Sequence, residues 1–192
     1  MRRDDTAETL LATARNEFLR YGFDGTDVTR MARRAGVSPN TFYRCFKGKV
    51  DVFIAVYLDW AAEEHRAFQR LVAKPGPVAD IVDAVIARNR QHVWFRRSIR
   101  RLGHDDTFVR RAVALVRRDQ LSTLVAWAGP AADPAVVAAD LVQFEQLAAT
   151  LAEAELEDMG LDETPLRDRL AGLLMRWRVR AAPAVGGPAV SA

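Results

Sequence analysis

Residues 26–49 read TDVTRMARRAGVSPNTFYRCFKGK, and two short helices around a tight turn account for most of what this stretch contains. Val28, Met31, Ala32 and Ala35 recur every three or four positions, which places them on one helical face with Arg30, Arg33 and Arg34 outward. Thr26 is the expected N-cap. Gly36 stops this helix, because glycine accepts the left-handed conformation that follows a last turn. Ser38-Pro39 then opens another: the serine hydroxyl can accept from an orphan backbone N–H, and proline at the first helical position gives up an N–H that would lack a partner. The spacing predicts a helix from Pro39 to about Phe46 with Phe42 and Phe46 turned inward, and Lys47-Gly48-Lys49 separates it from a longer helix.

Helices this short cannot build a core alone, so the stripe just upstream has to complete it. A helix is expected to begin near Asp5 or Thr6, where Asp5 and Glu8 have capping-box spacing, and to present Leu11, Ala14, Phe18 and Tyr21 before Gly22 ends it. Residues 1–49 thus read as a three-helix domain.

The rest of the chain is helical too. The 192 residues are 49% hydrophobic and 28% charged, with apolar positions at helical spacing throughout, which gives an all-α fold class. Helices are expected from Val50 to about Val72, over 79–102 with a break near Asn89 or His92, over 105–128 after Gly103, over 134–159 and over about 164–181, eight or nine in all. Pro75-Gly76-Pro77 is the clearest loop. Residues 50–181 form the second expected domain. The uncharged stretch 182–192, with two prolines and two glycines, is an expected disordered tail.

Charge is segregated behind a net +3. Six basic side chains (Arg30, Arg33, Arg34, Arg44, Lys47, Lys49) stand against Asp27 alone in 26–49, a candidate anion-binding face. Ten arginines fill 88–118 and nine acids fill 133–163. Those two stretches either face each other or are solvated helix surfaces in a chain that uses 25 Arg and 3 Lys. One cysteine, Cys45, makes neither a disulfide framework nor a thiolate cage, and MRRDDTAETL lacks the apolar run of a secretory signal, so a cytoplasmic protein is expected. No GxSxG, HExxH, P-loop or dinucleotide fingerprint occurs, and His65, His92 and His104 lack ligand spacing. The expectation is no catalytic residue, no metal, no cofactor and no membrane partner.

A helix, a glycine turn and a proline-capped second helix form a helix-turn-helix signature, the geometry that sets one helix against the phosphates and the next in the major groove of double-stranded DNA. Thr29, Arg30, Ser38, Asn40, Thr41, Tyr43, Arg44 and Lys49 supply hydroxyl, amide, guanidinium and ammonium donors for such a surface.

The same stretch resembles the DNA-binding segment of TetR-type transcriptional regulators. The resemblance rests on Ala32 four residues before Gly36, on Gly36-Val37-Ser38, on Thr41 with Tyr43, and on Phe46 with Lys49 opening a long helix. Phe18, Tyr21-Gly22-Phe23 and Thr26 extend it to roughly residues 7–53, while Cys45 departs from the aromatic or histidine of relatives and Met31 replaces a branched aliphatic. It implies a recognition helix from Pro39 to Phe46. Asn40 and Arg44 would read bases, Thr41 and Tyr43 would contact base edges or phosphates, and Thr29 and Lys49 would clamp phosphates. It further implies a homodimer formed through the helices near 134–159 and 164–181, a palindromic operator, and repression relieved by a small-molecule effector. Trp60, Phe68, His92, Phe95, Trp127 and Phe144 are the candidate effector-pocket residues, and Arg88 and Arg90 could meet an acidic one. Two other readings stand beside this one: a redox-sensing regulator acting through Cys45, whose neighbour Arg44 would stabilise a thiolate, and a helical interaction module that does not bind DNA.

Overall fold

A computed structural model of the chain describes residues 3–181, and among them the regular elements are all helices. In order they are α1 (Arg3–Tyr21), α2 (Val28–Arg34), α3 (Pro39–Cys45), α4 (Lys49–Ala73), α5 (Val78–Gln91), α6 (Val93–Asp105), α7 (Thr107–Ala128), α8 (Pro134–Ala152), α9 (Glu155–Asp158) and α10 (Thr164–Ala181). The expected disordered tail lies outside the described residues. The chain divides into two compact units. One runs to Glu64 and resumes over Gln91–Arg117; the other takes His65–Arg90 and the chain from Arg118 onward.

The first unit is organised around phenylalanine. Phe18 of α1, Phe42 of α3, Phe53 of α4 and Phe95 of α6 are each fully buried, together with Leu10, Ala14, Met31 and Ala32. Phe18 meets Phe53 edge to face at 5.1 Å, and Phe53 meets Phe95 at 5.3 Å. Such pairs add about 0.5–1.5 kcal/mol each beyond the area they bury. Helix α1 packs against α2, α3 and α6, so the two short helices complete their core on the upstream stripe as the pattern requires.

Several local expectations need correction. Helix α1 is already under way at Asp5, whose carbonyl accepts from the Thr9 hydroxyl at 2.8 Å, so Asp5 and Glu8 are not its capping pair. The buried face is Leu10, Ala14, Glu17 and Phe18, with Leu11 and Tyr21 half-buried. Asp27, not Thr26, caps α2: its carboxylate accepts from the Arg30 N–H at 2.8 Å, while Thr26 is buried and donates its hydroxyl to the Gly22 carbonyl at 3.0 Å. Gly103 does not separate two helices. Helix α6 runs through it to Asp105, and the Asp106 carboxylate accepts from the N–H groups of Phe108 and Val109 at 2.8 and 3.1 Å, a cap that decides where α7 begins.

Gly22 ends α1 at φ +66°, its N–H donating to Phe18 O at 2.9 Å, and α6 closes over the turn. The Ser98 hydroxyl accepts from Phe23 N–H at 2.8 Å and donates to Trp94 O at 2.8 Å, while Arg101 pairs with Asp24 at 2.6 Å. A Cβ at position 22 would sit 2.9 Å from Ser98 Oγ and 3.0 Å from Trp94 O.

In the second unit α5 buries Ile81, Val82, Val85 and Ile86, and α8 packs on α10. Val137, Leu141, Ala148 and Leu151 from α8 join Leu170, Leu174 and Trp177 from α10 in one core. Phe68, Phe144 and Trp177 pack tilted or edge to face on one another, their ring centres 5.1–6.0 Å apart. The expected helix over 134–159 is interrupted: α8 stops at Ala152, Ala154 takes a left-handed φ of +57°, and α9 is a single turn. With α5 and α6 parting at His92, ten helices are described rather than eight or nine. Helix α8 is long and apolar enough to cross a membrane by length and composition, and 33% of its apolar stretch is buried.

Gly22→Ala and Gly36→Ala separate two costs. Both positions have positive φ, but nothing lies within 4 Å of a Cβ at Gly36. Gly36→Ala is expected to lower stability by about 1 kcal/mol, the left-handed penalty alone, and Gly22→Ala by about 2 kcal/mol or more, as read from urea unfolding.

Candidate nucleic-acid interface

Helix α3 is only seven residues long, and its two sides are unlike. Its start is fixed by Ser38, whose hydroxyl accepts from Thr41 N–H at 3.1 Å and meets the Thr41 hydroxyl at 3.0 Å, with Pro39 at the first helical position. Phe42 is fully buried and touches the ring of the half-buried Phe46 at 5.7 Å. On the opposite side Asn40, Tyr43 and Arg44, at i, i+3 and i+4, are exposed, Tyr43 at 57%. The Tyr43 ring stands edge to face with Phe42 at 5.5 Å, so a buried side chain orients an exposed one.

The other expected contact residues fall around this helix. Thr29 is exposed in the first turn of α2, Ser38 is exposed at the turn, and Thr41 is half-buried. Lys49 opens α4, its ammonium 4.0 Å over the Phe23 ring; burial lowers its pKa from the usual lysine value, against the pull of Asp24 and Asp27. Lys47 is exposed, and its backbone N–H donates to the Asp51 carboxylate at 2.9 Å, which fastens the turn into α4. Helices α2 and α3 pack on each other and on α1. The exposed side therefore carries an amide, a phenol and a guanidinium on one short helix, with Arg33 and Lys47 exposed beside it: side chains able to read base edges next to side chains able to hold phosphates.

Not every arginine of this segment belongs to that surface. Arg30 and Arg34, expected outward, turn back to Glu17 of α1: Arg30 Nε lies 2.7 Å from Oε2, and Arg34 Nη1 pairs with Oε1. Glu17 is 1% exposed. Sequence reasoning misses it because an acid three residues from Ala14 and one from Phe18 looks like the solvated edge of the stripe. The one signal is two arginines a turn apart on the neighbouring helix. Cys45 is half-buried and packs against the same core as Phe46.

The six aromatic and histidine candidates for an effector pocket fall into two groups. Trp60, His92 and Phe95 meet in the first unit, with Trp60–Phe95 at 5.2 Å and Trp60–His92 at 6.3 Å, and the Arg96 guanidinium lies 4.6 Å over the Trp60 ring. Phe68 and Phe144 belong to the core of the second unit, and Trp127 packs against it half-buried. Arg88 is half-buried, and Arg90 donates to Leu151 O at 3.2 Å. Among the described residues no cluster of His, Cys, Asp and Glu could hold a metal ion.

Residues 10–56 match the sequence profile of the family described as bacterial regulatory proteins, tetR family. No curated protein matches the chain by sequence. Solved structures do match its fold. A protein from Mesorhizobium loti assigned to the TetR-family transcriptional regulators is 16% identical, with 93% of this chain and 98% of that one covered and a TM-score of 0.63. Another so assigned, from a Rhodococcus species, is 16% identical over 90% and 97% of the two chains, with a TM-score of 0.61. The transcriptional regulator FadR from Bacillus subtilis, solved in complex with stearoyl-CoA, is 15% identical over 87% and 96%, with a TM-score of 0.51.

Removing the Ser38 hydroxyl tests how α3 is held. Ser38→Ala should cost about 1 kcal/mol, the usual value of an N-cap, and Phe42→Ala about 3–5 kcal/mol, both by urea unfolding. Equal effects would mean that the cap rather than the buried ring secures the helix.

Proposed function

We propose that the chain, whose residues 10–56 match the tetR-family profile of bacterial regulatory proteins, is a ligand-responsive repressor that binds a palindromic operator as a homodimer. The observation that carries the DNA-reading part is the exposed Asn40, Tyr43 and Arg44 face of α3, standing on the buried Phe42. In this reading α3 enters the major groove. Asn40 and Arg44 read bases, Thr41 and Tyr43 meet base edges or phosphates, and Thr29, Ser38 and Lys49 hold the backbone. A protein that acts on the genome works in the cytoplasm.

The dimer reading rests on apolar surface that the second unit leaves uncovered. Leu170, Leu173, Leu174 and Trp177, the apolar face of α10, are buried within the chain. The exposed set is different: Val136 and Val142 on α8 and Met175 on α10 are each more than half exposed. Pairing α8 and α10 with their copies would cover these side chains, and two-fold symmetry would set the recognition helices about 34–36 Å apart or a multiple of it.

The effector is received by the helical residues 50–181, with Trp60, His92 and Phe95 as one aromatic set and Phe68, Trp127 and Phe144 as another. FadR, of like fold, is solved with an acyl-CoA, which supports a small organic effector here. Release follows if the effector prefers the conformation in which the two heads no longer match successive grooves; its differential affinity for the two states sets the change in operator affinity.

Footprinting on the DNA upstream of the protein's own gene should show two protected half-sites related by a dyad. Val142→Asp or Met175→Asp should convert a dimer to a monomer by light scattering at micromolar concentration and weaken the footprint. A wild-type monomer, or a single protected half-site, would overturn the dimeric reading.

Arg44→Ala should cost roughly 1–3 kcal/mol on the best site drawn from a random-sequence pool and relax preference at one base pair. Lys49→Ala should weaken all sequences alike and reduce the slope of log K against log salt by about 0.9. Identical sequence profiles and slopes for the two variants would refute this division of roles.

A further inference from the structure

The residue in the first unit that the reading above does not use is Glu17, a carboxylate 1% exposed in the middle of α1. A lone buried charge is costly, so its partners must come to it. They come from one helix: Arg30 and Arg34, one turn apart on α2, reach back to the two oxygens of the same carboxylate. Arg30 is held a second time, its guanidinium 4.3 Å over the ring of Tyr21, also on α1. Its backbone N–H is taken by Asp27, so the start of the helix is fixed as well. The guanidinium of Arg30 is thereby ion-paired with Glu17 and stacked on the Tyr21 ring, and cannot swing outward without leaving both.

Of six basic side chains in residues 26–49, two, the half-buried Arg30 and the exposed Arg34, are therefore paired with the buried carboxylate. Arg33 and Lys47 differ: both are exposed, and neither side chain forms an ion pair among the described residues. We propose that Glu17 is a positioning residue of the DNA-reading unit, which anchors α2 to α1 and withholds Arg30 and Arg34 from the phosphate backbone. This rests on the DNA-binding reading of the same unit. The consequence is sharper discrimination, because phosphate contacts strengthen binding to every sequence alike and withholding two of them leaves a larger share of affinity to the base-reading face of α3.

The test uses the full chain and a mixed-sequence DNA duplex, with binding followed by fluorescence anisotropy across a salt series. Each phosphate that the protein neutralises contributes about 0.9 to the slope of log K against log salt. Arg33→Gln with Lys47→Gln should flatten the slope by about 1.8 in total. Glu17→Gln should steepen it by about 0.9 to 1.8, as one or both arginines are released toward the phosphates. The triple variant Glu17→Gln, Arg30→Gln, Arg34→Gln removes the buried charge together with its partners and should keep the wild-type slope. A triple variant as flat as the Arg33, Lys47 pair, or a Glu17→Gln slope equal to wild type, overturns the proposal. The anchoring has its own readout without DNA: the Arg30 guanidinium, held by the ion pair and the Tyr21 ring, should show a high 15Nε order parameter in the wild type and a low one in Glu17→Gln, and equal order parameters overturn it. Failure of the wild type to bind the duplex at all would instead strike at the DNA reading, leaving the order-parameter measurement to decide the role of Glu17.

Discussion

A helix of seven residues has almost no stability of its own, since nucleation costs more than so few hydrogen bonds return. Helix α3 exists because one of its side chains, Phe42, is fully buried against α1 and α2, and everything exposed on its far side inherits its position from that burial. The Ser38 cap sets where the helix starts, but the ring sets which way it faces. The aromatic chain from Phe18 through Phe53 to Phe95 belongs to the same core as Phe42, so the anchor of α3 is shared by α1, α4 and α6.

What can be read in the sequence is whatever local chemistry decides. Ser38-Pro39, Gly22 and Gly36 act within a turn of their own position, and the structure has them where those rules place them. Phe42 and Phe46 follow from spacing alone. The features that escape are set by contacts far along the chain. Thr26 and Asp27 are both good caps, and only the burial of the threonine hydroxyl on the Gly22 carbonyl decides between them. Glu17 is legible as an interior residue only to a reader who already knows that α2 lies on α1. Gly103 looks like a terminator because the competing cap at Asp106 sits only three residues on, and a single glycine inside a helix costs little enough to be overruled. Nothing in the residue type of Ala154 announces a left-handed backbone.

The aromatic residues of the C-terminal two thirds are easy to find and hard to place. Their spacing says that they face inward; it does not say inward to which core. Phe68 and Phe144 meet Trp177, whereas Trp60 and Phe95 meet each other, so a set that is uniform in composition divides by packing. The α10 stripe shows the same ambiguity: an apolar face at helical spacing describes an intramolecular core and an interface equally well, and here the chain itself fills it.

The scarcity of lysine has a practical side. Arginine carries nearly all the positive charge, and of three lysines two, Lys47 and Lys49, flank the end of α3, the first of them exposed. Reagents that acylate amines, including the succinimidyl esters used to attach dyes or to couple proteins to sensor chips, will therefore meet few lysines, and of the exposed ones Lys47 stands at the end of α3 and Lys74 just past α4. Coupling through Lys47 would occupy the α3 surface, and an inactive preparation made that way would report on the coupling chemistry rather than on the protein.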